Sequence, residues 1–260
     1  METQSNLEKI KKFHDDDARN YKKNRYHSES CEGLSYLTRK ELVIDSIDMD
    51  SGKVLDIGCG PGIFTKDLLN KDLTVYSSDI SDQMIKEARE SIDGSFDREK
   101  AFFTVTNATN ICYAGESMDL VLCVGVVTYL DDYNELIDEI KRILKLEGKL
   151  IIQIDYIKYP WIYRLLVPFY QFVKSKLTAK KYDNLNFRFS YFNYRDFLQT
   201  LESKGFRVLK LDHFDFRIPF LDVLFPQCSL AIGRYMFRNR NLPVFRNFSY
   251  GLLINAQKMA

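Results

Sequence analysis

From Ser51 onward, short apolar runs alternate with stretches in which apolar residues recur every three or four positions. βαβ units around a parallel sheet impose this pattern, because a strand covered by helices is apolar on both faces and the covering helix on only one. Lys53–Ile57 reads as a first strand ending at a glycine cluster, followed by a helix over Ile63–Leu69. Thr74–Ser78 is the second strand, and Ser81 is the N-cap of a helix running to about Ser91. Ala101–Thr106 and Met118–Val124 are the third and fourth strands, and a helix follows from about Tyr133 to Leu144. Gly148 closes that region, and Lys149–Ile154 is a fifth strand of the kind buried on both faces. Tyr194–Ser203 reads as a helix stopped by Gly205, Phe206–Leu211 as a sixth strand and Ser249–Gln257 as the last. Two insertions, Ile157–Ser190 and Phe214–Asn247, are rich in aromatic and basic residues.

Composition narrows the class without naming a function. A chain of 260 residues suits one α/β domain with elaborations. With 45% hydrophobic and 28% charged residues, it is neither disordered nor fibrous. The five cysteines, Cys31, Cys59, Cys112, Cys123 and Cys228, are widely spaced, form no C-x-x-C pair and have no His placed to complete a zinc set, so no metal site is expected and they read as reduced, mostly buried thiols. The N-terminus is polar, and no apolar run reaches the length of a membrane span, which points to a cytoplasmic protein. The net charge of +1 hides a division: residues 1–155 hold 20 Lys+Arg against 30 Asp+Glu, and residues 156–260 hold 17 against 6.

The chemistry concentrates on the turn after the first strand, Val54-Leu55-Asp56-Ile57-Gly58-Cys59-Gly60-Pro61-Gly62. Without Cβ atoms the chain turns tightly there, and a ligand can lie against backbone N–H groups at a helix N-terminus. The dinucleotide fingerprint G-x-G-x-x-G is close, but here the glycines run G-x-G-x-G behind the acidic Asp56. A carboxylate at that point is a poor neighbour for a pyrophosphate and a good one for a cationic ligand group. Asp79, at the end of the second strand, stands where a carboxylate can accept both hydroxyls of a ribose.

This combination resembles the class I S-adenosylmethionine-dependent methyltransferase family. Asn107-Ala108 stands where members have an Asp and a small residue near the adenine, Ser117 to Cys123 is similar to the fourth-strand motif, and Arg142 to Leu150 resembles R-x-L-K-P-G-G. The resemblance covers roughly residues 13–154 and the last strand. It implies a Rossmann-like, seven-stranded, mostly parallel α/β sheet with helices on both faces and an antiparallel last strand. The expected layout is a single domain with N-terminal lid helices over 1–50, a cofactor-binding core over 51–155 and a helical cap from the insertions at 157–190 and 214–247. S-adenosylmethionine is the implied cofactor, held by Tyr21, Asp56, Gly58, Cys59, Gly60, Gly62, Asp79, Ile80, Met84, Asn107, Ala108 and Val124. Tyr21, and with it Tyr26, would cover the methionine end.

The sequence departs from the family pattern at Asn107, at Leu146-Glu147 in place of Pro-Gly, and at Thr128, where many relatives carry His or Glu. Tyr129, Asp155 and Tyr156 follow the fourth and fifth strands and are expected to position the acceptor. The Asn/Asp-Pro-Pro-aromatic motif of adenine and glutamine amide methyltransferases is absent. The basic, aromatic insertions suit a surface lying on anionic lipid. The layout loosely resembles ubiquinone-pathway O-methyltransferases, which implies a lipophilic or lipid-linked acceptor methylated on oxygen and peripheral placement at the inner face of the membrane. A soluble small-molecule N- or O-methyltransferase, or a cofactor-binding protein without catalysis, stays open beside it. His14, His27 and His213 read as surface or satisfied histidines, and Asp15-Asp16-Asp17 as a solvated helix start. No nucleic-acid module is visible, and the chain is expected to be a monomer or homodimer.

Overall fold

A computed structural model of the chain describes residues 2–92, 98–156, 189–218 and 221–260. The N-terminal region forms α1 (Glu2–Asp17), α2 (Tyr21–Arg25) and α3 (Cys31–Asp45). The core then runs β1 (Lys53–Ile57), α4 (Thr65–Asn70), β2 (Thr74–Asp79), α5 (Asp82–Glu90), β3 (Ala101–Val105), β4 (Met118–Cys123), α6 (Asn134–Ile143) and β5 (Leu144–Asp155). The remainder comprises α7 (Tyr194–Ser203), β6 (Phe206–Phe216), α8 (Leu221–Leu224), α9 (Pro226–Arg238) and β7 (Ser249–Lys258).

The seven strands form one sheet in the order β3-β2-β1-β4-β5-β7-β6. Pairing is parallel from β3 through β5, and β7 runs antiparallel to both β5 and β6. The strand order reverses between β1 and β4, and such a switch point opens a crevice at the carboxyl ends of the strands.

The period-two alternation of the central strands divides the core between two faces. Leu55, Val121, Ile152 and Leu252 pack with α6 and α7 through Leu136, Ile140 and Phe197. Val54, Leu120, Leu122 and Leu253 pack on the other face with Leu42 of α3, Leu68 of α4 and Phe237 of α9. Helices therefore cover both faces, as the patterning requires.

Three expectations change in detail. β6 continues to Phe216, five residues beyond the predicted Leu211, because Asp212, Phe214 and Phe216 keep alternating inward against β7. The second insertion accordingly starts later, and α9 packs on α3 and β6; the first insertion, but for its last two residues, lies outside the described residues. Of the cysteines, Cys59 and Cys123 are buried and Cys112 and Cys228 exposed, all five being free thiols. Among the described residues no helix is long and apolar enough to cross a membrane.

The departure from Pro-Gly at 146–147 leaves a mark on the backbone. Glu147 has φ of +60°, and a Cβ on Gly148 would lie 2.8 Å from the Lys145 carbonyl oxygen. A left-handed conformation costs a non-glycine residue roughly 1–2 kcal/mol. Glu147→Gly is therefore expected to stabilise the fold by about 1 kcal/mol, a rise in Tm of roughly 2–4 °C by thermal denaturation. A fall in Tm would show that the turn is not strained.

Candidate active site

The turn after β1 is built by backbone geometry. Gly58, Gly60 and Gly62 have φ of +70°, +54° and +74°, values open to glycine at little cost. A Cβ on Gly58 would stand 2.3 Å from Val126 Cγ2, so the approach of the post-β4 loop also demands glycine. Gly58 and Cys59 donate their N–H groups to the Ser78 carbonyl at 2.7 and 3.0 Å, which ties the turn to the end of β2.

Asp79 completes that tie. Its Oδ2 accepts from Gly60 N and its Oδ1 from Ser81 N, both at 2.9 Å. Ser81 Oγ in turn accepts from Met84 N at 3.0 Å and caps α5 as expected. Burial pushes the Asp79 carboxyl above its ordinary range, while the backbone N–H groups of Ser81 and Gly60 pull it back.

Around this junction lies a cleft. Gly58 and Gly60 form its floor, with Asp79, Ile80 and Met84 on one side. Asn107 and Ala108 follow β3 on the second side, and Val124 and Gly125 follow β4 on the third. Leu7, Ile10 and His14 of α1 and Tyr21 of α2 roof it, and Tyr129 closes the end. Tyr21 Cε1 stands 4.0 Å from where a Gly60 Cβ would be. Nine of the predicted cofactor residues thus meet in one cleft, joined by Tyr129.

Five predicted residues lie elsewhere. Asp56 is 1% exposed behind the turn, and its Oδ2 has no hydrogen-bond partner among the described residues. Burial, with a contribution from the Asp79 charge, pushes its pKa up to about 8. Cys59 packs against Ile85 and Ala88 of α5. Gly62 permits close helix packing, since a Cβ there would lie 3.3 Å from Ala88 Cα. Asp155 and Tyr156 line a second, more polar cleft with Tyr36, Arg39 and Gln153. The Tyr156 hydroxyl is held by Ser249 Oγ at 2.6 Å and His213 Nδ1 at 2.9 Å.

Sequence reasoning missed two residues here. Arg39 of α3 is 8% exposed and sits between the clefts, its Nη1 3.5 Å from where a Gly125 Cβ would be. It donates to Gln153 Oε1 at 2.9 Å and to the Tyr26 hydroxyl at 3.2 Å, and Gln153 Nε2 donates to Asp155 Oδ1 at 2.7 Å. Arg39 Nε has no hydrogen-bond partner among the described residues. Its spacing with Leu42 and Val43 on the buried stripe of α3 was the available signal. The second is His14, which faces the cleft with its ring 5.0 Å from Tyr129 in an edge-on contact.

The acidic run also takes another role. Asp15 and Asp17 end α1 rather than start it. Asp15 Oδ1 accepts from Ser81 Oγ at 2.5 Å and from Gln83 N at 3.3 Å, so its charge serves the N-terminus of α5. Asp17 pairs with Arg25. Together with Lys11–Asp82 at 2.7 Å, these contacts fasten the roof to the floor.

Comparison with known proteins accords with this geometry. A methyltransferase domain model matches residues 55–152. A Streptomyces halstedii methyltransferase is 27% identical over 114 residues, 43% of this chain and 41% of that one. A ubiquinone biosynthesis O-methyltransferase of Bartonella tribocorum is 27% identical over 125 residues, 46% of this chain and 50% of its own. The chain thus spans about half the length of these relatives, or less. Among solved structures, the magnesium protoporphyrin IX methyltransferase of Synechocystis with bound S-adenosylhomocysteine shares the fold at a TM-score of 0.64, with 14% identity, 97% of this chain and 99% of that one being covered. The core of this chain, residues 55–152, is a methyltransferase domain of the class I S-adenosylmethionine-dependent family.

Proposed function

We propose that the chain transfers the methyl group of S-adenosylmethionine to an oxygen of a lipophilic or lipid-linked small molecule. The observation that carries methyl transfer is the single cleft in which the glycine turn, Asp79 and the residues after β3 and β4 converge. Asp79 would take the ribose hydroxyls, Asn107 and Ala108 the adenine, and Tyr21 would cover the methionine end. The Nε of Arg39, without a hydrogen-bond partner among the described residues, suits the cofactor carboxylate. When bound, the cofactor supplies a methyl group on a good leaving group, so the chain's own task is to align the acceptor and exclude water.

The acceptor class rests on chemistry outside the cleft. Leu224, Phe225, Tyr235, Leu242 and Val244 are large apolar or aromatic side chains exposed on α8, α9 and the following loop. Arg234, Arg238 and Arg246 are exposed among them, and no Asp or Glu occurs from 223 to 260. Apolar groups at headgroup depth beside arginines fit an anionic membrane surface, from which a lipid-linked acceptor would be drawn. The similar proteins of ubiquinone biosynthesis and of magnesium protoporphyrin IX methylation support the same class.

Asp79→Asn should lower affinity for S-adenosylmethionine at least tenfold by calorimetry, since an amide offers one acceptor oxygen where a carboxylate offers two. Unchanged affinity would remove the cofactor reading.

Asp56 gives a pH signature. Its folded pKa of about 8 exceeds the unfolded value of about 3.9, so the folded state retains a proton that the unfolded chain loses between them. Stability of the cofactor-free protein should therefore fall as pH rises through that window, by up to about 1.4 kcal/mol per pH unit. Asp56→Asn is expected to flatten the decline in Tm, and an undiminished slope would exclude Asp56 as the titrating group.

For the surface, the protein should co-sediment with phosphatidylglycerol vesicles and stay in the supernatant with phosphatidylcholine alone. Phe225→Glu combined with Tyr235→Glu should abolish pelleting. Wild-type protein that stays in the supernatant with both lipids would overturn membrane docking.

A further inference from the structure

Methylation of a hydroxyl leaves a proton to be placed, and the groups near the acceptor end of the cleft differ in their fitness for it. Thr128 offers no basic group. Tyr129 is a half-buried phenol whose pKa desolvation raises, so it donates rather than takes a proton. Asp155 lies in the second cleft and is engaged by Gln153. Asp79 is committed to two backbone N–H groups.

His14 differs from all of these. It hangs from the roof helix into the cleft, between the edge contact with Tyr129 and the ring of Phe13 at 5.2 Å. Neither ring nitrogen has a hydrogen-bond partner among the described residues. The charged groups facing it are Asp15 and Asp17 of its own helix and Arg25 of α2. Both acids are engaged, Asp17 by Arg25 and Asp15 at the start of α5, so no carboxylate is bound to the imidazole. Burial first, and Arg25 second, hold its pKa down to about 4. At neutral pH the ring is uncharged and keeps a lone pair open to the cleft.

We propose that His14 takes the proton of the acceptor hydroxyl, which makes the acceptor an alcohol or phenol bound in its neutral form. The inference rests on the O-methylation reading above. In the step, the hydroxyl oxygen forms a bond to the methyl carbon and the carbon–sulfur bond breaks, its electron pair going to sulfur. The hydroxyl proton passes to the imidazole, which later releases it to water. The positive charge lost at sulfur reappears on the ring, so the charge of the cleft is conserved. That exchange offsets the burial that disfavours an imidazolium in the resting site.

The test compares wild type with His14→Asn, which keeps a polar side chain unable to take the proton, using a long-chain alkylcatechol as acceptor. Turnover should fall about 10²–10⁴-fold, the usual worth of a general base, with S-adenosylmethionine affinity by calorimetry within about twofold of wild type. The acidic limb of the wild-type rate profile should vanish in the variant, and added imidazole should restore part of the rate. In cofactor-free protein, the His14 ring signals followed by NMR should titrate well below an ordinary histidine. A variant that retains both rate and acidic limb, or a histidine titrating normally, overturns the assignment. Wild type that binds cofactor but methylates no hydroxyl instead removes the functional reading on which the assignment depends.

Discussion

One carboxylate organises the site. Asp79 accepts from Gly60 N and Ser81 N at once, and so joins the glycine turn after β1 to the capped start of α5. Those hydrogen bonds lie at the switch point of the sheet, where the parallel order of strands opens a crevice. The roof depends on the same junction, because Asp15 reaches it from α1 through Ser81. Floor, wall and lid therefore share one polar anchor that is nearly closed to water. In a low-dielectric setting such hydrogen bonds are both strong and costly to break, which fixes the geometry of the cleft.

A second consequence of burial is the contrast between the two acids at the strand ends. Asp79 has backbone donors on both oxygens, whereas Asp56 keeps one oxygen without any. The chain thus holds a carboxyl group in an environment that favours its neutral form. Arg39 is the complementary case, a buried cation held by the neutral partners Gln153 and Tyr26. Both are polar groups left incompletely satisfied inside the fold, the condition expected of a binding site rather than of a core.

The alternation of apolar and polar positions made β1 to β5 legible, because strands covered on both faces leave little freedom in composition. The glycine turn and Asp79 were legible for the same local reason: their spacing carries the geometry. β6 was read short because polar Lys210, Asp212 and His213 obscured an alternation that becomes clear only against β7. Arg39 and His14 were hidden by their residue types. An arginine on an amphipathic helix and a histidine after a charged stretch both read as solvated, and only the packing of α1 and α3 onto the carboxyl ends of the strands turns them inward. Asp15 was misread because the end of α1, and the helix whose N-terminus it serves, are separated by 66 residues of sequence.

The insertion of β7 between β5 and β6 also bears on the uneven charge of the chain. β6 and β7 form one edge of the sheet, and residues 223–260, which include α9 and β7, hold no Asp or Glu. Arg234, Arg238 and Arg246 are exposed on α9 and on the segment that leads into β7, so cationic charge gathers on that flank. A negatively charged plane would attract such a flank before any contact forms, over the ~10 Å that screening allows at moderate salt.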